Sequence, residues 1–332
     1  MNLGKLAVTL PIPSLSVSDN VALAVRCEKE WGYEAIWLAE TNGADSFSLA
    51  GAIAQATDRV EIGTAIVPVY NRTPAVLAMT AATLADLSEG RFVLGLGTSS
   101  HAMIEGWHGM PFEKPLSRVR ETMAVLRSAF AGEKSNYDGD TLESHGFRLG
   151  VRLKTPPKIY LAALREKMLN LAGALGEGLI INMMPLESMP KILGAYRQGA
   201  VDTERDPSND GVVARFQIAV TDDKSAARNR VRLGFGGYVA TPVYNNFFSW
   251  VGHQDVARGV AEAFAKGDRA GTAEAMHDRF IDDLAIIGDA DESREKLAAF
   301  VTAGVTTPVL APLAANAEQT IDVLKTFAPA LQ

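Results

Sequence analysis

Cysteine is almost missing from this 332-residue sequence: Cys27 stands alone, so neither an intramolecular disulfide nor a cysteine metal cluster can form. Its place near Val25 in an amphipathic helical stretch gives it the expected role of a small buried residue. Long apolar runs are missing too, and nothing approaches the ~20 residues needed to cross a bilayer. The opening MNLGKLAVTLPIP lacks the layout of a signal peptide and is punctuated by Pro11 and Pro13, so a cytoplasmic protein without a membrane partner is expected. Basic residues are not in excess. Lysine and arginine total 32 against 39 acidic residues, a net charge of -7, which speaks against a nucleic-acid partner. No segment rich in Pro, Gly or Ser divides the chain, so one domain over residues 1–332 is expected. Metal and acyl-transfer signatures are also lacking. The five histidines (His101, His108, His145, His253, His277) make no HExxH-type spacing, and no GxSxG or phosphate-binding P-loop occurs, so no metal is expected.

What is present is a composition 47% hydrophobic, enough for a large core. The chain is organised around Val60 to Met110. A strand is expected from Val60 to Val67, broken by Pro68. A helix follows, with Thr73 as N-cap and Pro74 at its first position. Val76, Leu77, Thr80, Leu84 and Leu87 recur at helical spacing until Gly90 stops it. Phe92 to Leu96 then reads as a strand covered on both faces, completing a parallel β-α-β unit. The same alternation predicts strands at 6–10, 35–39, 158–162, 178–182, 212–220 and 308–311, with helices between them. Residues 135–153 read as a polar, hairpin-like excursion. Eight strands alternating with helices predict an α/β fold, a (β/α)8 TIM barrel with insertions; a doubly wound sheet is the alternative. Between about 234 and 285 the pattern is helical and irregular. Phe235, Tyr238, Tyr244, Phe247, Phe248 and Trp250 cluster there too densely to be solvated, and a helical cover over the barrel mouth is expected.

In such a barrel the residues just past the strand ends converge on one face. Gly95 and Gly97 lead into Thr98, Ser99, Ser100 and His101; the glycines either let a ligand approach the backbone or relieve crowding between strands. The dinucleotide fingerprint does not fit, because its third glycine would be Ser100 and no helix opens directly after Gly97. Glu40 is either a carboxylate aimed into the site or a strand-end residue capping the turn at Asn42. His101 and His108, close to Trp107, are either proton-handling groups or residues of a loop surface. Arg165 and Lys167 begin a helix whose N–H groups could receive a phosphate; Glu166 between them counts against an anion.

The runs GYEAIWLAE (32–40), VEIGTAIVPVYNRTPAVLA (60–78), TLADLSEGRFVLGLGTSS (83–100) and MPFEKPLSRVRETM (110–123) resemble the bacterial luciferase-like superfamily, in its coenzyme F420-dependent oxidoreductase branch. PKIYLAA (157–163), KMLNLAG (167–173) and YVATPVYNNFFSWVGH (238–253) extend the resemblance along nearly the whole chain. It implies a deazaflavin ring over the strand ends, backed by a bulge at Ala65 and Ile66 with a non-proline cis peptide between them. Thr98, Ser99 and Ser100 would line the cofactor's approach, and its phosphate would sit at Ala162, Ala163, Leu164, Arg165 and Lys167. The implied activity is hydride transfer between ring carbon C5 and a small or medium apolar substrate, by a homodimer. An FMN-dependent monooxygenase and a non-catalytic cofactor-binding relative are the alternatives. Five positions, in three places, depart from the family pattern. Glu40 and Thr41 replace an Asp-His pair, Ser100 stands where one subgroup has glutamate, and Arg165 and Glu166 replace Gly and Pro. His101, with Glu40 and His108 behind it, is therefore the expected proton-handling group.

Overall fold

The structure is a computed structural model that describes residues 1–331. Eight parallel strands close into a ring: β1 Ala7–Leu10, β2 Ala35–Leu38, β3 Glu61–Thr64, β4 Phe92–Gly97, β5 Lys158–Ala162, β6 Gly178–Asn182, β7 Gly211–Val220 and β8 Thr307–Pro312. Each pairs with the next, and β8 closes on β1 through Ala7↔Val309 and Val8↔Leu310. This is the (β/α)8 barrel, and its eight strands lie where the sequence placed them, the third shorter than expected.

Alternation along the strands makes two cores. Residues pointing outward, such as Ile36, Leu38, Leu94 and Leu96, meet the surrounding helices in one continuous apolar layer. Residues pointing inward, among them Ala7, Trp37, Val93, Tyr160, Ile180, Val213 and Val309, fill the barrel itself. Trp37 and Tyr160 stack there with ring centroids 5.8 Å apart. Each such ring removes on the order of 200 Å² from water, about 5 kcal/mol of hydrophobic stabilisation. They fit because of what faces them: a Cβ on Gly63 would stand 2.4 Å from the Trp37 ring.

The strand expected to run unbroken from Val60 to Val67 is divided. It stops at Thr64, passes a cis peptide bond between Ala65 and Ile66, and resumes as the pair Val67–Pro68 beside Leu96–Gly97 of β4. The Thr64 side chain fills the interruption, since its hydroxyl donates to the Gly95 carbonyl (2.8 Å) and accepts from the Gly95 N–H (2.9 Å). A strand at the end of the region read as irregular was not anticipated. Ala285–Gly288 pairs with Gln217–Val220, because ten-residue β7 outruns β6 and leaves an open edge that this segment covers. The polar excursion contains a small antiparallel hairpin, Asn136–Asp138 with Glu143–His145. No helix among the described residues is long and apolar enough to cross a membrane.

Between Lys224 and Leu284 lie five helices. The aromatic cluster divides its labour among them. Phe247 and Phe248 are fully buried, and Phe248 meets Phe280 edge-on at 5.0 Å to form the insertion's own core. Tyr244, stacked at 6.1 Å on Phe248, turns to the barrel and receives a hydrogen bond from Asn182 at the end of β6 (3.2 Å).

Candidate active site at the barrel mouth

The carboxyl ends of the strands give the mouth two unlike walls. On one, the inward positions are small: Ala39 after β2, Ala65 after β3, Gly97 ending β4 and Ala162 ending β5. Ile66 leans across this wall, and a Cβ on Gly97 would lie 3.1 Å from its side chain and 3.2 Å from Ala162. The expected ring-backing residues Ala65 and Ile66 therefore do come together, packed on top of the barrel's interior cluster, and Ala162, expected at the phosphate, lies with them. Gly95 answers to crowding alone, because a Cβ there would meet the Thr64 carbonyl oxygen at 1.7 Å.

The other wall is polar. Asn182 of β6 stands in register with Arg215 of β7, and Arg215 Nε donates to the Thr9 hydroxyl of β1 (3.3 Å). Two buried atoms here have no partner, Asn182 Oδ1 and Gln217 Nε2. An unpaired buried polar atom costs about 1–3 kcal/mol, so this wall carries a cost that the chain's own hydrogen bonds do not offset. Arg215 and Gln217, close to the strand-end residue Asn182, were not singled out from the sequence. The available signal was their two-residue alternation within the apolar strands GLIIN and GVVARFQIAV, where a polar residue on the inward face is conspicuous.

The sequence-predicted residues take varied places. Glu40 is locked: Arg72 donates to both of its carboxylate oxygens (2.6 and 3.0 Å), while the Ser46 hydroxyl (2.7 Å) and N–H (3.2 Å) donate to Oε2. Burial raises its pKa, but the hydrogen bonds and charge of Arg72 with those of Ser46 outweigh it and hold the carboxyl below its ordinary value. Glu40 is thus a fixed anion tying β2 to the loop after β3. Ser100 caps the short helix His101–Gly106. His101, at its start, is two-thirds exposed, pairs with Glu105 (3.1 Å) and meets the Phe112 ring edge-on. Glu105 is itself held by the Phe112 N–H (3.0 Å). His108 lies exposed just beyond this helix, its backbone N–H donating to the Met103 carbonyl. Thr98 and Ser99 continue from β4, with Ser99 in the left-handed region at φ 61°.

Ala163 and Leu164 lead from β5 into the helix Glu166–Leu175. Its N-cap Arg165 makes no side-chain cap, and the Arg165 carbonyl takes the N–H groups of Met168 and Leu169. The N–H groups of Glu166 and Lys167 remain free in the first turn, with Arg165 and Lys167 exposed beside them. Far from the mouth, Asp138, Glu143 and His145 could reach one ion, but they are exposed on the hairpin and Asp138 already pairs with His145 (3.0 Å).

A model of the luciferase-like monooxygenase family matches residues 5–307. The chain belongs to that family. Its relatives within it include a Mycobacterium tuberculosis protein provisionally named a coenzyme F420-dependent oxidoreductase, 30% identical over 96% of this chain and 97% of the relative. The 5,10-methylenetetrahydromethanopterin reductase of Archaeoglobus fulgidus is 29% identical over 90% of this chain and 92% of its own length. Among solved structures, the coenzyme F420 dependent tetrahydromethanopterin reductase of Methanopyrus kandleri superposes with a TM-score of 0.81 at 20% identity, covering 99% of this chain and 98% of that one. At that identity the structural likeness speaks to the fold. This luciferase-like chain therefore has the barrel of its family, and the F420 branch suggested by its sequence runs is the one from which these named relatives come.

Proposed function

We propose that this luciferase-like chain is a coenzyme F420-dependent oxidoreductase that transfers a hydride between the cofactor's C5 and a small or medium organic substrate with an apolar body. The observation that carries the reading is the division of the mouth into a wall of small residues and a wall of unpaired polar ones. The names of the full-length relatives support the choice of F420.

The residues present fit the group. Ala39, Ala65, Gly97 and Ala162 leave a wall against which a planar ring can lie, with Ile66 behind it. Across the mouth from this wall, Asn182 and Arg215 stand side by side and bound the space left for the substrate. The free N–H groups of Glu166 and Lys167, with the Arg165 and Lys167 side chains, would hold the phosphate. When bound, the deazaflavin supplies a two-electron hydride carrier. Tyr244 and its helix exclude water from the polar wall. His101 would exchange the accompanying proton at its Nδ1, with Nε2 held by Glu105 and the ring set edge-on to Phe112.

Fluorescence titration of the protein with oxidised F420 and with FMN tests the reading. Tight F420 binding with turnover sustains it. FMN binding with no response to F420 would replace it by the monooxygenase reading, and F420 binding without turnover on any substrate would leave a cofactor-binding protein.

A further inference from the structure

The other arginines that reach into the protein are all engaged. Arg72 serves Glu40 and Asp45, Arg205 serves Asp210, Arg91 donates to three carbonyls and a hydroxyl, and Arg118 donates to two carbonyls. Arg215 is the exception. Half-buried on the inward face of β7, it has one hydrogen bond, from Nε to Thr9. Among the described residues no carboxylate lies within 4 Å of it, and the titratable groups that act on it are the hydroxyls of Tyr244 and Tyr238. Its four terminal N–H donors are therefore unmet in a place partly closed to water. Withholding hydrogen bonds from a charged group is among the costlier features a fold can carry, and burial does push this guanidinium's pKa down. The group still remains charged at any physiological pH.

Where it stands gives the deficit a meaning. In a ring of eight strands β7 lies across from β3, so Arg215 faces the wall of Ala65, Gly97 and Ala162 from the opposite side of the mouth. A molecule lying against the small-residue wall leaves a space bounded on its far side by Arg215, Asn182 and the two tyrosines. A guanidinium presents a planar fork of donors that matches a carboxylate or phosphate bidentately.

We propose that Arg215 recognises an anionic oxygen group, a carboxylate or a phosphate, at the end of the substrate remote from the reacting carbon, so that the substrate is an organic acid with an apolar body. This rests on the F420-dependent reading and narrows it. Arg215 acts as a specificity residue; Thr9 fixes its Nε and Asn182 stands beside it, while the apolar body lies between the acid group and the cofactor.

The test uses the F420-loaded protein in low-salt zwitterionic buffer and three probes of one shape, benzoate, phenyl phosphate and benzamide, followed by the change in cofactor fluorescence. At least one acid binds about tenfold or more tightly than the neutral amide, and the tighter of the two identifies carboxylate or phosphate. Arg215→Met erases the preference, Arg215→Lys keeps part of it, and both bind F420 within about twofold of the parent. Equal binding of amide and acids, or a preference that survives Arg215→Met, overturns the proposal. So does a loss of F420 affinity in Arg215→Met, which would set Arg215 against the cofactor instead. If the parent does not bind F420, the functional reading fails on its own, and calorimetry of the same probes with the unloaded protein still decides whether Arg215 selects acids. If Arg215→Met does not fold, Arg215→Lys decides, with a several-fold loss of preference expected and an unchanged one overturning the proposal.

Discussion

Thr64 and Gly95 are joined across the break between β3 and β4 by a reciprocal pair of hydrogen bonds, hydroxyl to carbonyl and N–H to hydroxyl, at 2.8 and 2.9 Å. The side chain supplies what the interrupted ladder cannot, and it holds the bulge at Ala65 and Ile66 in place above the barrel. Any Cβ on Gly95 would occupy the position of the Thr64 carbonyl oxygen. Gly95→Ala should therefore lower stability by about 3 kcal/mol, at the upper end for overpacking, because backbone and not a mobile side chain must give way. Chemical denaturation checks this, with Gly106→Ala, where no atom lies within 4 Å of the new Cβ, as the control expected to change little. Equal midpoints for the two variants would refute the steric account.

Three buried carboxylates predict an acid limb. Glu28 accepts the N–H groups of Asp58, Arg59 and Val60, Glu121 those of Asp140, Thr141 and Leu142 with the Thr141 hydroxyl, and Glu40 has Arg72 and Ser46. In each, burial raises the pKa and these hydrogen bonds lower it by more, leaving the carboxyl below its ordinary 4.5. A folded pKa below the unfolded one stabilises above the unfolded value, and that stability is lost as pH falls through the folded value. The contribution of these three carboxylates to unfolding free energy should thus be level from pH 7 to about 5 and fall below about 4.5. Glu121→Gln should cost about 2 kcal/mol at pH 7 and make the acid fall shallower. A fall of the same steepness in that variant would exclude Glu121 from the acid limb.

The helix start at Arg165 makes a separable prediction about the cofactor's tail. Arg165→Gln with Lys167→Gln should weaken F420 binding by about tenfold or more and reduce its salt dependence. Affinity for the phosphate-free deazariboflavin should not change. A matching loss for both ligands would mean that the two residues shape the ring site and do not hold phosphate.

For His101, the expected result is a loss of turnover of about two orders of magnitude in His101→Ala with F420 affinity kept. Glu105→Gln should give a smaller loss, since it removes only the partner that orients the ring. Rates equal to the parent's across pH 5 to 9 would remove His101 from proton handling.

The sequence by itself determined the barrel. Eight short strands, each with β-branched or apolar residues bounded by turn residues, have to be covered on both faces, and alternation with amphipathic helices leaves one economical way to do it. Thr73 and Pro74, Gly90, and the strand Lys158–Ala162 lie where local chemistry puts them. Of the aromatic cluster, Phe247 and Phe248 are buried as its density leads one to expect, while Tyr238 stays exposed.

Tertiary structure alone decided which polar residues meet. Glu40 reads as an open carboxylate until Arg72, 32 residues away, closes on both its oxygens. Arg215 and Asn182 look like stray polar residues in apolar strands until closure of the ring sets them side by side and sends Thr9, 206 positions earlier, to the same wall. The strand at Ala285–Gly288 exists because β7 outruns β6, a mismatch visible only once the strands are in register. Periodicity is a property of neighbours along the chain and survives in the sequence. The pairing of charges depends on distances across a closed barrel, and these are set by packing.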